Sequence, residues 1–204
     1  WRRQCVAIMP KPKEDTPIIF DLMAGTGEIW PHILRRFPTT QKIHAVDISD
    51  GMHRRALQRL HAMRADRIHF VCDNVLQSQL ETESADGVVS TFGLKTFNHE
   101  QQAALAELIA RVLKPGGSFS LIEASDPKGW WLRGLFMVYM TKILPLVERF
   151  VLKGAQDFSM IGTYCTNFGD ASFMAEQLRA HGLDVRYTRH FFGCATSVSG
   201  IKPL

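Results

Sequence analysis

The sequence predicts an α/β protein, a doubly wound, mostly parallel sheet of seven strands with a helical cap inserted after the fifth strand. Three observations predict it. Short apolar runs alternate with segments of helical spacing, the pattern of parallel strands joined by crossover helices. A glycine-rich turn, Gly25-Thr26-Gly27, follows the first run. Beyond Glu123 the alternation gives way to a long apolar stretch, residues 130–152.

Ile18–Asp21 reads as a buried strand, and a helix through Ile29, Ile33 and Leu34 follows the glycine turn. Ile43–Asp47 is the second strand. Ser49 suits the cap of the next helix, with Ala56, Leu57, Leu60 and Met63 on one face. Ile68–Cys72 and Gly87–Ser90 are the third and fourth strands. His99–Leu113 carries Leu105, Leu108, Ile109 and Val112 at helical spacing, and Lys114-Pro115-Gly116-Gly117 stops it and turns the chain. Ser118–Glu123 is the fifth strand. Trp130–Leu152 then reads as a helical insertion, the core of a cap over 126–170. Ala171–Ala180 is a helix ended near Gly182. Leu183–Thr188 and Phe191–Ser199 are closely spaced strands, expected to form a hairpin whose turn has no glycine.

The 204 residues suit one domain, 1–204, and 46% hydrophobic with 22% charged residues is an ordinary globular balance. A net charge of +4 is mild and spread out. The densest basic stretch, Arg54, Arg55, Arg59, Arg64 and Arg67, shares its helix with apolar residues and reads as a solvated face. Nucleic acid is therefore not an expected partner. The four cysteines, Cys5, Cys72, Cys165 and Cys194, form no CxxC or zinc spacing, so no metal is expected and the cytoplasmic side of a reducing compartment is. The 130–152 stretch is broken by Arg133, Lys142, Pro145, Glu148 and Arg149 and fails as a spanning helix.

The chemistry concentrates at strand ends. Asp21 precedes the Gly25-Thr26-Gly27 turn, where a ligand approaches the backbone closely. Asp47 ends the second strand, 20 residues after Gly27, where an acid can accept both hydroxyls of a ribose. Asp73 ends the third, where a carboxylate suits an adenine amine. A dinucleotide fingerprint needs a small residue where Trp30 stands, and there is no GK[ST] motif, so a compact adenosine carrying a charged amino-acid tail fits better than a pyrophosphate.

Taken together, Trp1-Arg2-Arg3, DLMAGTGEIW (21–30), AVDISDGM (45–52), HFVCDN (69–74), ADGVVSTFGL (85–94) and RVLKPGGSFSLIEAS (111–125) resemble the UbiE-type ubiquinone/menaquinone C-methyltransferases. The resemblance continues through Pro127, Leu132-Arg133, Tyr139, Leu144-Pro145-Leu146 and Arg149, covering essentially the whole chain. It implies a class I, Rossmann-like methyltransferase using S-adenosyl-L-methionine, with a further segment preceding Trp1. It implies that Asp21, Gly25, Thr26, Gly27, Asp47, Ile48, Met52, Asp73, Asn74 and Thr91 form the cofactor site. Phe92, Arg133, Phe136, Tyr139 and Tyr164 would contact the acceptor, and Lys95, Glu123 and His99 are candidates to take a proton from it, although His99 also suits a helix cap.

The chain departs from the family's pattern on the acceptor side. Lys95-Thr96 replaces an Arg-Asn pair, and lysine lacks arginine's rigid fork. Phe136-Met137 replaces Tyr-Asp, and 158–164 replaces a YxYLPxS segment. Three readings stay open: C-methylation of a quinone-like or phenolic, lipophilic small molecule; other chemistry with the same cofactor, such as O- or N-methylation or amino transfer to a quinone; or a cofactor-binding scaffold without catalysis. The apolar cap suggests peripheral membrane contact, with a homodimer interface as the alternative use of the same residues.

Overall fold

The computed structural model describes residues 1–63, 66–144, 146 and 160–204. Its elements are α1 (Arg2–Ile8), β1 (Ile18–Leu22), α2 (Trp30–Arg36), β2 (Lys42–Asp47), α3 (Asp50–Met63), β3 (Ile68–Cys72), β4 (Ala85–Thr91), α4 (His99–Val112), β5 (Leu113–Ala124), α5 (Arg133–Val138), α6 (Ile161–Phe168), α7 (Ser172–Ala180), β6 (Asp184–His190) and β7 (Ala195–Ile201). The strands form one seven-stranded sheet in the order β3-β2-β1-β4-β5-β7-β6. The first five are parallel, and β7 runs antiparallel to β5 and to β6. The strand order reverses between β1 and β4, which places the ligand crevice of such a sheet beside the carboxyl ends of β1 and its neighbours.

One core lies on each face of the sheet. On one, Leu105, Ile109 and Val112 of α4 and Met174 and Leu178 of α7 pack on Phe20, Val88, Phe119 and Leu121. On the other, Val6 of α1, Trp30 and Ile33 of α2 and Ala56 of α3 pack on Ile19, Ile43, Val89 and Ile122. The strand residues alternate between the two, as a period of two requires. This double coverage explains why the central strands read as continuous apolar runs.

Several expectations are corrected. Leu57 is exposed while Ala56 is buried, so the α3 stripe is narrower than its sequence suggests. The side chain of Met63, and Arg64, lie outside the described residues. The solvated reading of the basic stretch is too simple: Arg54 pairs with Asp50, but Arg59 donates to the Thr26 carbonyl at 2.9 Å, and Arg67 donates to the carbonyls of Pro38 and Thr40. The Lys114–Gly117 segment does not leave the sheet. β5 already begins at Leu113, and its register with β4 shifts between Ala85 and Gly87 to absorb the glycines. Asn98, not His99, caps α4, with Gln101 completing a capping box. The β6–β7 turn contains Gly193 at φ +96°, and Phe191–Gly193 is a helical turn instead of the start of a strand. In the cap, helix begins at Arg133 instead of Trp130 and passes into a π-helical turn, Tyr139–Ile143. The remaining expectations for 147–159 lie outside the described residues.

Candidate active site

Three strand ends build a cleft. β1 ends in Leu22, and the chain leaves it through Met23 at φ +59° and the turn glycines Gly25 and Gly27 at φ +57° and +71°. Left-handed backbone is accessible to glycine without penalty. A Cβ on Gly27 would fall 2.2 Å from the Trp30 ring, whereas a Cβ on Gly25 would meet nothing within 4 Å. The indole thus occupies the place of a small third residue, and the space over Gly25 stays open.

Asp47 terminates β2. Its carboxylate accepts the Gly25 amide on Oδ2 and the Ser49 amide on Oδ1, both at 2.8 Å, which ties the glycine turn to the next strand. Each oxygen keeps a lone pair for a further donor. Ser49 Oγ accepts the Met52 amide at the start of α3, the helix that follows Asp47. Ile48 is 70% exposed at the lip. Asp73 follows β3. It accepts the Asn74 amide, and the Asn74 side chain accepts the Leu76 amide. The cofactor residues expected from the sequence thus gather at the carboxyl ends of β1, β2 and β3, with Thr91 at the end of β4 beyond β1.

Asp21 is buried within β1. Its Oδ2 accepts the Trp30 indole N–H at 2.8 Å, while its Oδ1 has no partner. Burial, helped by the neighbouring Asp47 charge and opposed by the indole hydrogen bond, pushes its carboxyl up to about 8. Two arginines that the sequence leaves outside the expected site border this turn: Arg2 pairs with Glu28 at 2.5 Å and lies 5.0 Å over the Phe92 ring, and Arg59 holds Thr26.

The second part of the site lies beyond β4. Phe92 has φ +65°, a strained angle for a bulky residue, and its amide donates to Ile122 of β5. Met23 at φ +59° packs on Gly93, where a Cβ would fall 2.7 Å from Met23 atoms. Strained backbone thus ends two adjacent strands, β1 and β4. Lys95 follows in a short helical turn, Leu94–Thr96. Its Nζ reaches Oε1 of Glu123 at 3.0 Å and the Phe92 carbonyl, and its amide donates to Glu123 Oε2 at 3.0 Å. The Ala124 amide also donates to Oε1. Burial raises the Glu123 carboxyl above the usual range, and Lys95 opposes the shift.

Lys95, His99 and Tyr164 line one cavity of about 380 Å³, together with Phe97, Gln102 and Phe168. The His99 ring stacks on Phe173 at 4.2 Å. Gln102 was not anticipated. It is buried, its Nε2 donates to the Phe97 carbonyl, and its Oε1 has no partner. It lies three residues before Leu105 and seven before Ile109, on the buried stripe of α4, and its polar side chain hid it there. Arg133, Phe136 and Tyr139 do not line this cavity. Arg133 is held by both oxygens of Asp126, at 2.6 and 2.7 Å, and so fastens α5 to the end of β5. Phe136 is half-buried and Tyr139 exposed on the cap.

A profile of the ubiE/COQ5 methyltransferase family matches residues 1–202. The chain belongs to that family. It is 26% identical over 203 residues to a demethylmenaquinone methyltransferase of Geobacillus stearothermophilus, covering 99% of this chain and 85% of that one. It is 26% identical over 187 residues to the mitochondrial 2-methoxy-6-polyprenyl-1,4-benzoquinol methylase of Caenorhabditis elegans, covering 90% of this chain but only 64% of the relative. Among solved structures, a SAM-dependent methyltransferase from Aquifex aeolicus superposes with a TM-score of 0.65 at 14% identity over 94% of this chain and 85% of that one. Human N-acetylserotonin methyltransferase in complex with SAM superposes at 0.67 and 18% identity, over 100% of this chain and 52% of that one. The ubiE/COQ5 member described here is an S-adenosylmethionine-dependent methyltransferase. Its residues fit that cofactor on two structural counts: the unpartnered, buried Asp21 Oδ1 beside the turn, and the open space over Gly25.

Proposed function

We propose that this methyltransferase transfers a methyl group to a ring carbon of a lipophilic quinol or phenol. The observation that carries the reading is the cavity at Lys95, His99 and Tyr164, beside the strained end of β4, in a chain whose relatives are named as a benzoquinol methylase and a demethylmenaquinone methyltransferase. The bound cofactor supplies an electrophilic methyl group. Asp47 and Asp73 would hold its adenosine end, and Gly25 would leave room for its amino-acid end. The protein's main contribution is to fix the acceptor carbon in line, near contact distance.

A ring carbon becomes nucleophilic when the adjacent hydroxyl loses its proton. Glu123 is fully buried and its oxygens are occupied by Lys95 and Ala124, so it serves to hold Lys95. His99 is exposed to the cavity and takes the hydroxyl proton on a ring nitrogen. The apolar residues of α5 and the π-helical turn give an isoprenoid tail a surface, at about 0.8 kcal/mol per buried CH₂. The exposed aromatic residues around Trp130 bring the enzyme to a membrane that holds such acceptors.

The test is a turnover assay with a prenylated benzoquinol or naphthoquinol and its tail-less analogue. Expected is a carbon-methylated product located by NMR, a markedly lower KM for the prenylated acceptor, and a kcat about 100-fold lower in His99→Asn. A product methylated on oxygen, or equal KM values, would overturn the reading. In Asp47→Ala, affinity for the cofactor should fall at least about tenfold, since charge-assisted hydrogen bonds contribute about 1.5–3 kcal/mol each.

A further inference from the structure

We propose that Asp50, His53 and Cys72 form a site for a borderline-soft divalent cation of the zinc class, at the lip of the cofactor cleft. One oxygen, one nitrogen and one sulfur from these residues all lie within 4.8 Å of one another. The sequence hides the set because its members come from two elements. Asp50 and His53 are three residues apart on α3 and share a face of its first turns. Cys72 ends β3, the edge strand of the sheet, directly opposite Asp47 in the ladder. Ser49 starts α3 immediately after β2, and this brings the helical pair over the strand end.

The donor chemistry selects the ion. A thiolate, an imidazole and a carboxylate suit zinc, whereas magnesium and calcium take oxygen ligands. Three protein ligands leave a fourth tetrahedral position open. Separations up to 4.8 Å close to the roughly 3.5 Å of a tetrahedral set by small side-chain rotations. The surroundings permit this. Cys72 is the exposed cysteine of the four, with its sulfur 3.7 Å from the Ile48 carbonyl. The His53 ring is steadied edge-on against Phe70, centroids 4.7 Å apart. Asp50 is engaged by Arg54 at 2.8 Å, but both side chains are exposed and such a pair is weak enough to yield to a dication. On binding, the thiol releases its proton to solvent and its sulfur forms the metal bond.

The experiment uses the full chain, freed of metal and titrated with Co²⁺, then with Zn²⁺ in competition. Expected is a sulfur-to-cobalt charge-transfer band that saturates at one ion per chain and is displaced by Zn²⁺. The band should vanish in Cys72→Ser, because Cys5, Cys165 and Cys194 are buried. His53→Ala and Asp50→Asn should each weaken Zn²⁺ binding at least about tenfold. Because all three ligands lie at the surface or half-buried, thermal unfolding without metal should match the wild type, which confirms that each variant is folded. No charge-transfer band in the wild type, an undiminished band in Cys72→Ser, or equal Zn²⁺ affinity in folded His53→Ala and Asp50→Asn would overturn the proposal.

Discussion

The Lys95 ammonium lies 3.0 Å from Oε1 of Glu123 at the carboxyl end of β5, with the lysine side chain 8% and the glutamate 0% exposed. Two charges withdrawn from water at this depth stabilise the fold only as a pair, and removing one partner leaves the other uncompensated. Lys95→Met should therefore cost about 3–5 kcal/mol in urea unfolding. Adding Glu123→Leu should recover most of that loss, because the orphaned carboxyl goes too. A single mutant as stable as the wild type would show that the pair is solvated in solution. Lys95→Arg introduces a larger, forked group into the same enclosed space, and we expect it to change turnover as well as stability.

The turn glycines separate folding from cofactor binding. Gly25→Ala places a side chain at φ +57° in open space, so it should cost only about 1–2 kcal/mol of stability. The same methyl group would occupy the room assigned to the cofactor, and affinity for S-adenosylmethionine should fall at least about tenfold. Gly27→Ala meets the buried Trp30 ring at 2.2 Å and should lose about 1–3 kcal/mol more from overpacking. Calorimetry that finds unchanged cofactor affinity in folded Gly25→Ala would move the cofactor away from this turn.

Asp21 makes stability depend on pH in the direction opposite to a salt-bridged carboxylate. Its folded value of about 8 lies above the ordinary carboxylate value of 3.8. Between these values the folded chain keeps a proton that the unfolded chain has lost. By linkage, its contribution to stability falls as pH rises from about 4 to about 8 and levels off beyond. Asp21→Asn keeps the shape without the charge and should flatten that part of the profile. Urea midpoints measured from pH 5 to 9 check this, and parallel profiles for the two proteins would show that Asp21 is ionised throughout.

The fold was legible because its signals are local. Apolar runs mark buried parallel strands, and the Gly25-Thr26-Gly27 turn with Asp47 at the next strand end marks the ligand crevice. The acceptor side was less legible because its contacts are long-range. Lys95 and Glu123 are 28 residues apart, and nothing in either neighbourhood announces that they pair. Arg133 reads as a ligand contact until Asp126, buried and seven residues before it, is seen to hold two of its guanidinium nitrogens, Nε and one Nη. Gln102 disappears into the polar positions of α4, although the register turns it inward. The Phe191–Gly193 turn reads as strand because aromatic residues favour strands, whereas two of them here adopt left-handed backbone.

That turn supports the membrane reading more directly than the cap helix does. Phe191 and Phe192 have φ of +42° and +58° and are 63% and 64% exposed. Phe192 stacks on Trp130 with centroids 5.2 Å apart and planes 4° from parallel, and Trp131 beside it is 85% exposed. Strained backbone and uncovered aromatic surface are both unfavourable in water, and burial at a bilayer surface offsets the second. Lys128 and Arg189 border the same patch and suit anionic headgroups, at about 1 kcal/mol each. Phe191→Ser/Phe192→Ser should leave the exposed tip folded and lower partition onto anionic liposomes at least about tenfold. Raising salt should weaken wild-type flotation through Lys128 and Arg189. A self-associating chain using this patch would instead show a salt-resistant dimer in sedimentation that the double substitution dissolves, with no flotation at any salt concentration, and that outcome would refute the membrane reading.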